Sequence, residues 1–400
     1  MEDYCKKGSI ILMLTVGCFC FVNCQTKEDV RPEPEPEGTF YFGADLSYVN
    51  QILDRGGVYK DGGEVKTPYQ IFRDHGGNLV RLRLWHDPQW TKAVYEPPGS
   101  QLYNDLHDVE ESIRLSKEQG LAVLLDFHYS DNWADPGKQE IPVAWRDIRD
   151  ISTLKDSVYE YTFNVLTSLD NKGLMPELIQ IGNETNCGML YTNAPEGFPS
   201  CNVCDGQWQR LGEVVNAAIQ AVRDVTDNSL VKSEVILHVA DPKNVEWWFD
   251  NILAQASVTD FDILGISYYP LWHKTVAPGA LSESVSKFIT KYGKPLIVLE
   301  TAYPWTTAGH DSYNNLFGNE MPLTGYPYSV KGQSDLLKAL TQEIMDGGGT
   351  GIIYWEPAWI SVPELKDQWG TGSSWESNTL FDFEGEALES IDYMIHDYGK

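Results

Sequence analysis

The sequence predicts a single (β/α)₈ barrel that occupies residues 39–400. From residue 40 onward, short apolar runs rich in β-branched residues alternate with helical patterns, as in parallel strands joined by helices. Eight such units follow one another, which is the number that closes a barrel. An open, doubly wound sheet is the alternative, but Gly43-Ala44-Asp45 at the first turn lacks the G-x-G-x-x-G spacing typical of that fold.

Most of the predicted strands are nearly continuously apolar before a polar terminus, as expected when both faces of a parallel sheet are covered. The predicted strands are 40–46, 79–85, 122–129, 178–184, 235–240, 263–269, 295–300 and 351–356. The predicted helices include 108–119, 154–171, 207–225, 244–256, 281–292 and 332–346.

The first 23 residues predict a lipoprotein signal peptide. Lys6 and Lys7 precede an apolar run at residues 8–22, which is too short for a comfortable membrane span. Phe21-Val22-Asn23-Cys24 resembles a relaxed lipobox, so Cys24 is the predicted site of lipidation, with plain secretion as the alternative. Residues 24–38 are rich in Pro and Glu and predict a stiff linker. We therefore expect an exported protein, attached to the outer-membrane surface only through this lipid.

The charge and the aromatic content of the chain limit the classes of binding partner to expect. The net charge is −28, from 58 acidic and 30 basic residues, and the chain has no run of basic residues. A nucleic-acid partner is therefore excluded, because phosphate binding needs a basic surface. The 13 Trp and 21 Tyr residues favour a carbohydrate partner, since flat rings stack on the C–H faces of sugars, although a large barrel also buries many aromatic residues. We expect a monomer.

Cysteine and histidine residues do not predict a metal site. Cys187, Cys201 and Cys204 lie in the folded part, and in an oxidising compartment one pair can join and leave one free thiol. Cys201-x-x-Cys204 lacks the second ligand pair of a zinc site. The histidines at 86, 128 and 310 fall on separate units without close ligand spacing. The metal content stays open.

Two glutamates follow predicted strands that face each other across the barrel mouth. Hydrolysis of a glycosidic bond needs one carboxyl group that protonates the leaving oxygen and a second that attacks or stabilises the sugar carbon. Glu184 ends the fourth strand and Glu300 ends the seventh, at the end of the barrel where catalytic residues lie. We expect about 5 to 5.5 Å between the two carboxyl groups, which is the separation that retains anomeric configuration.

Three neighbours suit this pair. Asn183 can hydrogen-bond a sugar 2-hydroxyl, and Tyr269 can donate to Glu300. We expect Arg83 to lie beside Glu300 and to hold it ionised as the nucleophile. The negative charge of Glu300 would then raise the pKa of Glu184 and keep it protonated.

Other strand-end side chains are candidates for substrate binding. Asp45 and His86 end the first and second strands, and His128 in the third is either a sugar partner or a structural histidine. Trp residues that follow the third, sixth and eighth strands are candidate stacking platforms, with burial in the core as the alternative. They are Trp133, Trp272, Trp355 and Trp359.

At these residues the chain resembles family 53 of the glycoside hydrolases, the endo-β-1,4-galactanases, over roughly residues 40–390. The matching segments are Gly43-Ala44-Asp45-Leu46-Ser47-Tyr48, Asn78-Leu79-Val80-Arg81-Leu82-Arg83, Asp126-Phe127-His128-Tyr129-Ser130-Asp131-Asn132-Trp133-Ala134-Asp135-Pro136, Gln180-Ile181-Gly182-Asn183-Glu184, Ser267-Tyr268-Tyr269-Pro270, Glu300-Thr301-Ala302-Tyr303-Pro304 and Tyr354-Trp355-Glu356-Pro357-Ala358-Trp359.

The resemblance implies internal cleavage of β-1,4-galactan, or type I arabinogalactan, with retention of configuration. Glu184 matches the family's acid/base and Glu300 its nucleophile, while Asp131 and Asp135 join the substrate-binding candidates. The chemistry then needs no cofactor. A structural Ca²⁺ in several members would correspond to the segment 309–315, which matches only in part.

Two alternatives remain open at this point. A β-1,4-mannanase or cellulase of the same clan would share both glutamates and differ in its sugar subsites. A surface lipoprotein that binds glycans without cleaving them would not need two carboxyl groups together with Arg83, Asn183 and Tyr269.

Overall fold

Eight parallel strands form a closed barrel, as predicted. The computed structural model describes residues 38–317 and 320–399, so the predicted signal peptide, Cys24 and nearly all of the linker lie outside the described residues. In chain order the barrel strands are β1 (Tyr41–Asp45), β2 (Leu79–Leu84), β3 (Ala122–Phe127), β4 (Leu178–Ile181), β5 (Glu234–Ala240), β6 (Ile263–Ser267), β7 (Leu296–Thr301) and β8 (Gly351–Tyr354). Each strand pairs with its sequence neighbour, and β8 pairs with β1 to close the barrel.

The helices surround the barrel and bury an apolar face against it. The α-helices are α1 (Val49–Asp54), α2 (Pro68–Asp74), α3 (Trp90–Ala93), α4 (Leu106–Glu118), α5 (Ile151–Asn171), α6 (Trp208–Thr226), α7 (Pro242–Ala254), α8 (Leu281–Tyr292) and α9 (Val330–Asp346). Short 3₁₀ helices cover Val143–Trp145, Val203–Asp205, Glu376–Asn378 and Glu389–Ile395. None of the helices within the described part of the chain is long and apolar enough to cross a membrane.

The barrel interior changes from apolar to polar along the strands. Near the amino ends it is filled by a separate apolar cluster that includes Leu79, Leu124 and Ile236. Side chains two residues apart in a strand point to the same face. Leu79 and Arg81 therefore share the inner face of β2, and Arg81 lies closer to the carboxyl end of the barrel. The carboxyl end of the barrel therefore holds the charged and polar groups, as in other barrels of this type.

Several strands end earlier than the sequence predicts. β4 ends at Ile181 and β6 at Ser267, so Glu184 and Tyr269 lie on the loops that follow rather than in the strands. After β8, residues 355–399 contain the 3₁₀ helices Glu376–Asn378 and Glu389–Ile395 and no α-helix. The six predicted helices all have a counterpart among the α-helices.

A disulfide closes the loop between β4 and α6. Cys187 and Cys204 are joined, and Cys201 is a buried free thiol. The sequence prediction of one bonded pair and one free thiol is thus confirmed for these residues. Inside the loop, Gly188–Met189 pairs with Cys201–Asn202 in a short antiparallel ribbon. The bond begins only three residues after Glu184, so it restrains the loop that carries this glutamate.

Candidate active site

A cavity of about 730 Å³ opens at the carboxyl ends of the strands. Both glutamates line it, together with most of the predicted substrate-binding residues. Those residues are Asp45, Arg83, His128, Trp133, Asp135, Asn183, Tyr269 and Trp355. Its further aromatic lining includes Trp272, Tyr313, Trp359, Trp369 and Trp375.

Glu300 lies inside strand β7 at an irregularity of the pairing. Ile266 of β6 pairs with Val298, but the next residue, Ser267, pairs with Glu300, so β7 contains one extra residue at this point. Such a bulge breaks the alternation of the strand and re-aims a side chain. Glu300 is 5% exposed, and it faces the cavity.

Arg81 and Tyr269 bind the Glu300 carboxyl group. Arg81 Nη1 forms an ion pair with Glu300 Oε1 at 2.9 Å, and it donates a hydrogen bond to Asp45 Oδ2, also at 2.9 Å. The Tyr269 hydroxyl donates to Oε2 at 2.9 Å, as predicted. Burial raises the pKa of Glu300, while the Arg81 charge and the Tyr269 hydrogen bond both act to lower it.

The guanidinium of Arg81 is shared among several strands. Its Nη2 donates to Asp126 Oδ2 at 2.8 Å and to Asn183 Oδ1 at 2.7 Å, and its Nε donates to Gln180 at 3.1 Å. All five nitrogen–hydrogen donors of arginine lie in one plane, which suits several acceptors at once. Arg81 thus fixes the position of acceptors from β1, β3, β7 and the β4 loop.

The prediction that Arg83 lies beside Glu300 is wrong. Arg83 forms an ion pair with Glu356, and its guanidinium lies 4.1 Å from the ring centre of Trp133. Arg81 and Arg83 share the inner face of β2, and Arg83 is two residues closer to the mouth. The deeper arginine is therefore the one that meets Glu300.

Glu184 lies on a loop whose backbone takes an unusual conformation. Gly182 has φ +76° and Glu184 has φ +46°, in the left-handed region that side chains seldom adopt. The Glu184 N–H donates to Nδ1 of His238 at 3.2 Å. Strain of this kind persists where the surroundings over-determine it, typically at functional sites.

The two glutamates are close neighbours in very different surroundings. A carboxylate oxygen of Glu184 and one of Glu300 lie within 4.8 Å of each other. Burial first, and then the charge of Glu300, raise the pKa of Glu184 well above its ordinary value. Arg81 stands much closer to Glu300, so Glu300 ionises before Glu184 does.

Asn183 and His128 line the cavity while holding the surrounding structure. Asn183 Nδ2 donates to the Ala134 carbonyl at 2.8 Å. His128 Nδ1 accepts from the indole of Trp85 and from the Ala134 N–H, both at 3.2 Å, and its Nε2 lies 3.1 Å from Asp126. Both ring nitrogens of His128 are therefore occupied, as in the structural alternative.

Exposure separates the aromatic side chains of the cavity into two groups. Trp359 is 2% exposed and stacks on Tyr48 at 4.1 Å between ring centres, so it belongs to the core. Trp272 is 44% exposed and Trp369 is 60% exposed, and both lie on the cavity wall. These two rings are the most available faces for a sugar, and Trp369 was not among the predicted platforms.

His86 and Asp131 do not line the cavity, so their prediction as substrate-binding residues is not supported. The His86 ring packs against Trp145 at 5.1 Å and Tyr161 at 4.6 Å between ring centres. The Asp131 carboxylate accepts the backbone N–H groups of residues 87 and 143. Asp131 shapes the loop, because its oxygens are used by the backbone.

In the segment that resembles a calcium site, carboxylate oxygens accept hydrogen bonds from backbone N–H groups. Asp311 accepts from Tyr313 N at 2.6 Å and from Ser373 N at 2.8 Å, and Glu376 Oε1 accepts from His310 N at 2.6 Å. Glu376 Oε2 is buried without a hydrogen-bond partner, but Ca²⁺ takes six to eight oxygens. A structural Ca²⁺ at this segment stays a prediction.

Two polar residues next to Glu184 were missed by sequence reasoning. His238 of β5 and Ser267 of β6 stand in otherwise apolar strands, and both are fully buried. Their Nε2 and Oγ atoms lie 2.9 Å apart. The usable signal was a polar residue on the inner face of a strand, one layer below the mouth.

A closed (β/α)₈ barrel with two buried glutamates across its mouth has the architecture of a retaining or inverting glycoside hydrolase. The sequence model of glycosyl hydrolase family 53 matches residues 41–394. The chain belongs to glycosyl hydrolase family 53, and it is a glycoside hydrolase.

The chain is similar to known proteins over most of their length. The chain is 40% identical to an arabinogalactan endo-beta-1,4-galactanase of Cellvibrio japonicus over 90% of this chain and 91% of that protein. It is 30% identical to an endo-beta-1,4-galactanase of Bacillus subtilis, over 88% and 84%. Among solved structures, the Ignisphaera aggregans GH53 catalytic domain superposes with a TM-score of 0.77 at 32% identity, over 91% of this chain and 98% of that one.

Proposed function

We propose that this chain hydrolyses internal β-1,4-galactosidic bonds of galactan and type I arabinogalactan with retention of configuration. The observation that carries the proposal is the pair Glu184 and Glu300, in which one carboxylate oxygen of Glu184 lies within 4.8 Å of one of Glu300. That closeness matches the roughly 5 to 5.5 Å of retaining enzymes rather than the roughly 6.5 to 9.5 Å of inverting ones. The named activities of the relatives support the choice of galactan.

In the first step, Glu300 attacks the anomeric carbon and Glu184 gives its proton to the leaving oxygen. Arg81 and Tyr269 favour the ionised form of Glu300, while burial and the nearby negative charge keep Glu184 protonated. The carbon–oxygen bond of the glycoside breaks as the ester bond to Glu300 forms. The reducing-end part of the polymer leaves as an alcohol.

In the second step, water replaces Glu300 on the same carbon. Esterification removes the negative charge of Glu300, so the pKa of Glu184 falls and its carboxylate can take a proton from the water. The ester bond breaks and Glu300 regains its charge. Two displacements at one carbon give a β-anomer as the initial product.

The cavity supports an endo-acting enzyme. It extends from the glutamates to exposed indole rings at two places on its wall, Trp272 and Trp369. A chain of sugars can stack on these rings while one of its internal bonds lies at the glutamates. We assign a structural role to His128 and substrate contact to the other predicted residues of the cavity, which are Asp45, Arg83, Trp133, Asp135, Asn183, Tyr269 and Trp355.

Glu184→Gln and Glu300→Gln test the proposal. Each substitution keeps the size of the side chain and removes the carboxyl chemistry, so turnover should fall by about 10² to 10⁴-fold or more. The full chain and both variants are incubated with linear β-1,4-galactan, β-1,4-mannan and β-1,4-glucan, and products are read by mass spectrometry. Early proton NMR of the galactan reaction should show the β-anomer first.

Glu356→Gln is the matched control. Glu356 is also a buried glutamate beyond a strand end, but it pairs with Arg83 and does not line the cavity. The fall in turnover should be far smaller in this variant than in Glu184→Gln or Glu300→Gln. Hydrolysis of mannan or glucan but not galactan would select the same-clan alternative, and binding without hydrolysis would select the glycan-binding one. An α-anomer first would exclude double displacement.

We further propose that the chain is exported and held at the outer-membrane surface by a lipid on Cys24. The apolar run at residues 8–22, followed by Cys24 and the Pro/Glu-rich linker, supports this. Cys24→Ala should move the protein from the membrane fraction to the soluble fraction. A mature N-terminus at another, unmodified residue would exclude lipidation.

A further inference from the structure

Trp369 stands in the turn of a small hairpin that follows β8. The ends of the segment 366–371 form an antiparallel bridge, and the Asp367 N–H donates to the Gly370 carbonyl at 3.1 Å. We call this segment the Trp369 hairpin. Its indole is 60% exposed although it lines the cavity, so few contacts of its own hold the ring in place. The position of the ring therefore depends on what holds the hairpin.

The Asp367 carboxylate fixes the turn and joins it to a second loop. Its Oδ1 accepts from the backbone N–H groups of Trp369 and Gly370, both at 2.8 Å. Asp367 is buried, and each of its two carboxylate oxygens lies 2.9 Å from the Tyr313 hydroxyl, which donates to them. Tyr313 belongs to the loop that follows β7. One hydroxyl thus binds the Trp369 hairpin to the neighbouring loop.

Two further contacts hold the same hairpin. A Cβ atom on Gly370 would lie 2.8 Å from two carbons of the Tyr313 ring, closer than a side chain can come, so the ring packs directly on the turn. On another side, the Gln368 amide exchanges two hydrogen bonds with the Asn132 amide of the β3 loop, at 2.7 and 3.2 Å. The hairpin is therefore held between the loops of β3 and β7.

The other exposed platform, Trp272, is held in a different way. Its ring lies 4.1 Å from that of Phe317 between centres, at an angle of 32°, and Phe317 is fully buried. The contact on Trp369 is the ammonium group of Lys138, 5.7 Å from the ring centre, and a lysine on a flexible stem gives no rigid support. Trp272 is thus fixed by a buried ring, whereas Trp369 depends on its hairpin.

We propose that Tyr313 and Asp367 are positioning residues that hold the Trp369 hairpin, so that Trp369 is already in place when a sugar of the substrate stacks on it. The inference rests on the proposed function, in which exposed rings of the cavity bind a galactan chain. A ring fixed before binding loses less freedom when the sugar arrives, so the chain binds more tightly. This contact is present before and during the reaction, so it should affect KM rather than kcat.

Tyr313→Phe in the full chain tests the inference. The substitution keeps the ring and removes the hydroxyl that binds Asp367, so KM for linear β-1,4-galactan should rise about three- to fivefold with kcat unchanged. Trp369→Ala should raise KM about tenfold by removing the platform itself. In the Trp369→Ala background, Tyr313→Phe should have no further effect. In a Trp272→Ala background it should keep its full effect, because the two platforms are held independently.

Two further variants separate positioning from general damage. Tyr159→Phe removes a half-buried tyrosine hydroxyl that donates to Asp224 at 2.8 Å between α5 and α6, outside the cavity, and should leave KM unchanged. If Tyr313→Phe does not fold, Asp367→Asn keeps one oxygen for the N–H groups of the turn and weakens the bond from the Tyr313 hydroxyl. It should raise KM in the same direction, again only when Trp369 is present.

Failure of this inference can be distinguished from failure of the proposed function. A wild-type KM in a folded Tyr313→Phe or Asp367→Asn variant overturns the positioning role alone. A rise in KM that persists in the Trp369→Ala background also overturns it, because Tyr313 would then act on the sugar directly. An equal rise in Tyr159→Phe would mean a general effect and overturns it as well. Absence of galactan hydrolysis by the wild type would instead overturn the proposed function.

Discussion

Glu300 and Glu184 face each other across the barrel mouth, yet the protein holds them by different means. Glu300 is part of strand β7, and a cation and a phenol bind its carboxyl group. Glu184 lies three residues beyond the end of β4, at φ +46°, and its backbone N–H donates to the neutral ring of His238. One glutamate is fixed by charge, and the other by neutral hydrogen bonds and a disulfide-closed loop.

The difference explains how two identical side chains can take opposite roles. A buried carboxyl group ionises readily only when a nearby cation compensates its charge. Arg81 forms an ion pair with Glu300 and therefore favours ionisation of Glu300 over that of Glu184. A neutral environment leaves Glu184 protonated until Glu300 loses its charge. Pairs whose surroundings push their pKa values apart are the usual means of assigning acid and base.

Arg81→Lys should have the largest effect and would break the Glu300 side. Lysine keeps the charge but cannot serve several planar acceptors at once, so Glu300 loses its compensating partner. We expect kcat/KM on galactan to fall by about 10² to 10³-fold, which corresponds to about 3 to 4 kcal/mol of lost transition-state stabilisation. The pKa of Glu300 should rise, and the acid limb of the pH profile should move to higher pH. The measurement is kcat/KM on galactan between pH 4 and pH 9, roughly the range in which carboxyl groups of this kind titrate.

Arg83→Lys and Tyr269→Phe are the controls for this prediction. Arg83 pairs with Glu356, so its substitution should leave the acid limb in place. Tyr269→Phe removes one donor from Glu300 and should move the same limb in the same direction, but less far. An unchanged acid limb in Arg81→Lys would show that the charge of Arg81 does not set the pKa of Glu300.

Removal of the disulfide should have a smaller effect, confined to the Glu184 side. The bonded residues are 17 apart in sequence. By chain entropy, the double variant Cys187→Ser with Cys204→Ser should lose about 3 kcal/mol of unfolding free energy. We expect kcat to fall while the acid limb stays in place, because Arg81 and Glu300 are untouched. Urea unfolding measures the first effect and the pH profile the second.

Cys201→Ala is the matched control, since Cys201 is buried in the same loop but forms no disulfide. Its cost should be near 1 kcal/mol, as for the removal of one small buried group. Equal midpoints for the wild type and the double variant would mean that the loop holds Glu184 without the bond.

The sequence predicted the features that depend on pattern. The barrel, the six helices and the family followed from periodicity and from motifs, and each is confirmed. Strand ends did not follow as well. The predicted strands run three residues past the end of β4 and two past the end of β6, because the sequence pattern does not show where the backbone turns, as it does at Gly182 with φ +76°. The catalytic roles of Glu184 and Glu300 stay predictions.

Arg81 and Arg83 illustrate what periodicity cannot decide. Both occupy the same face of β2, so their spacing shows that each points inward but not which carboxyl group each one meets. That choice depends on the register between strands and on the bulge in β7, which turns Glu300 into the cavity. Such irregularities leave little trace in a sequence, since the extra residue, Leu299, is apolar like the strand residues before it.

The network around Arg81 also bears on how the protein can be altered. One guanidinium binds acceptors from β1, β3, β7 and the β4 loop, so any change there disturbs several strands at once. Trp272 and Trp369 stand instead on loops outside the strands, exposed and apart from this network. An engineer who wants a different polysaccharide can therefore diversify these loops and leave Arg81 and the two glutamates intact.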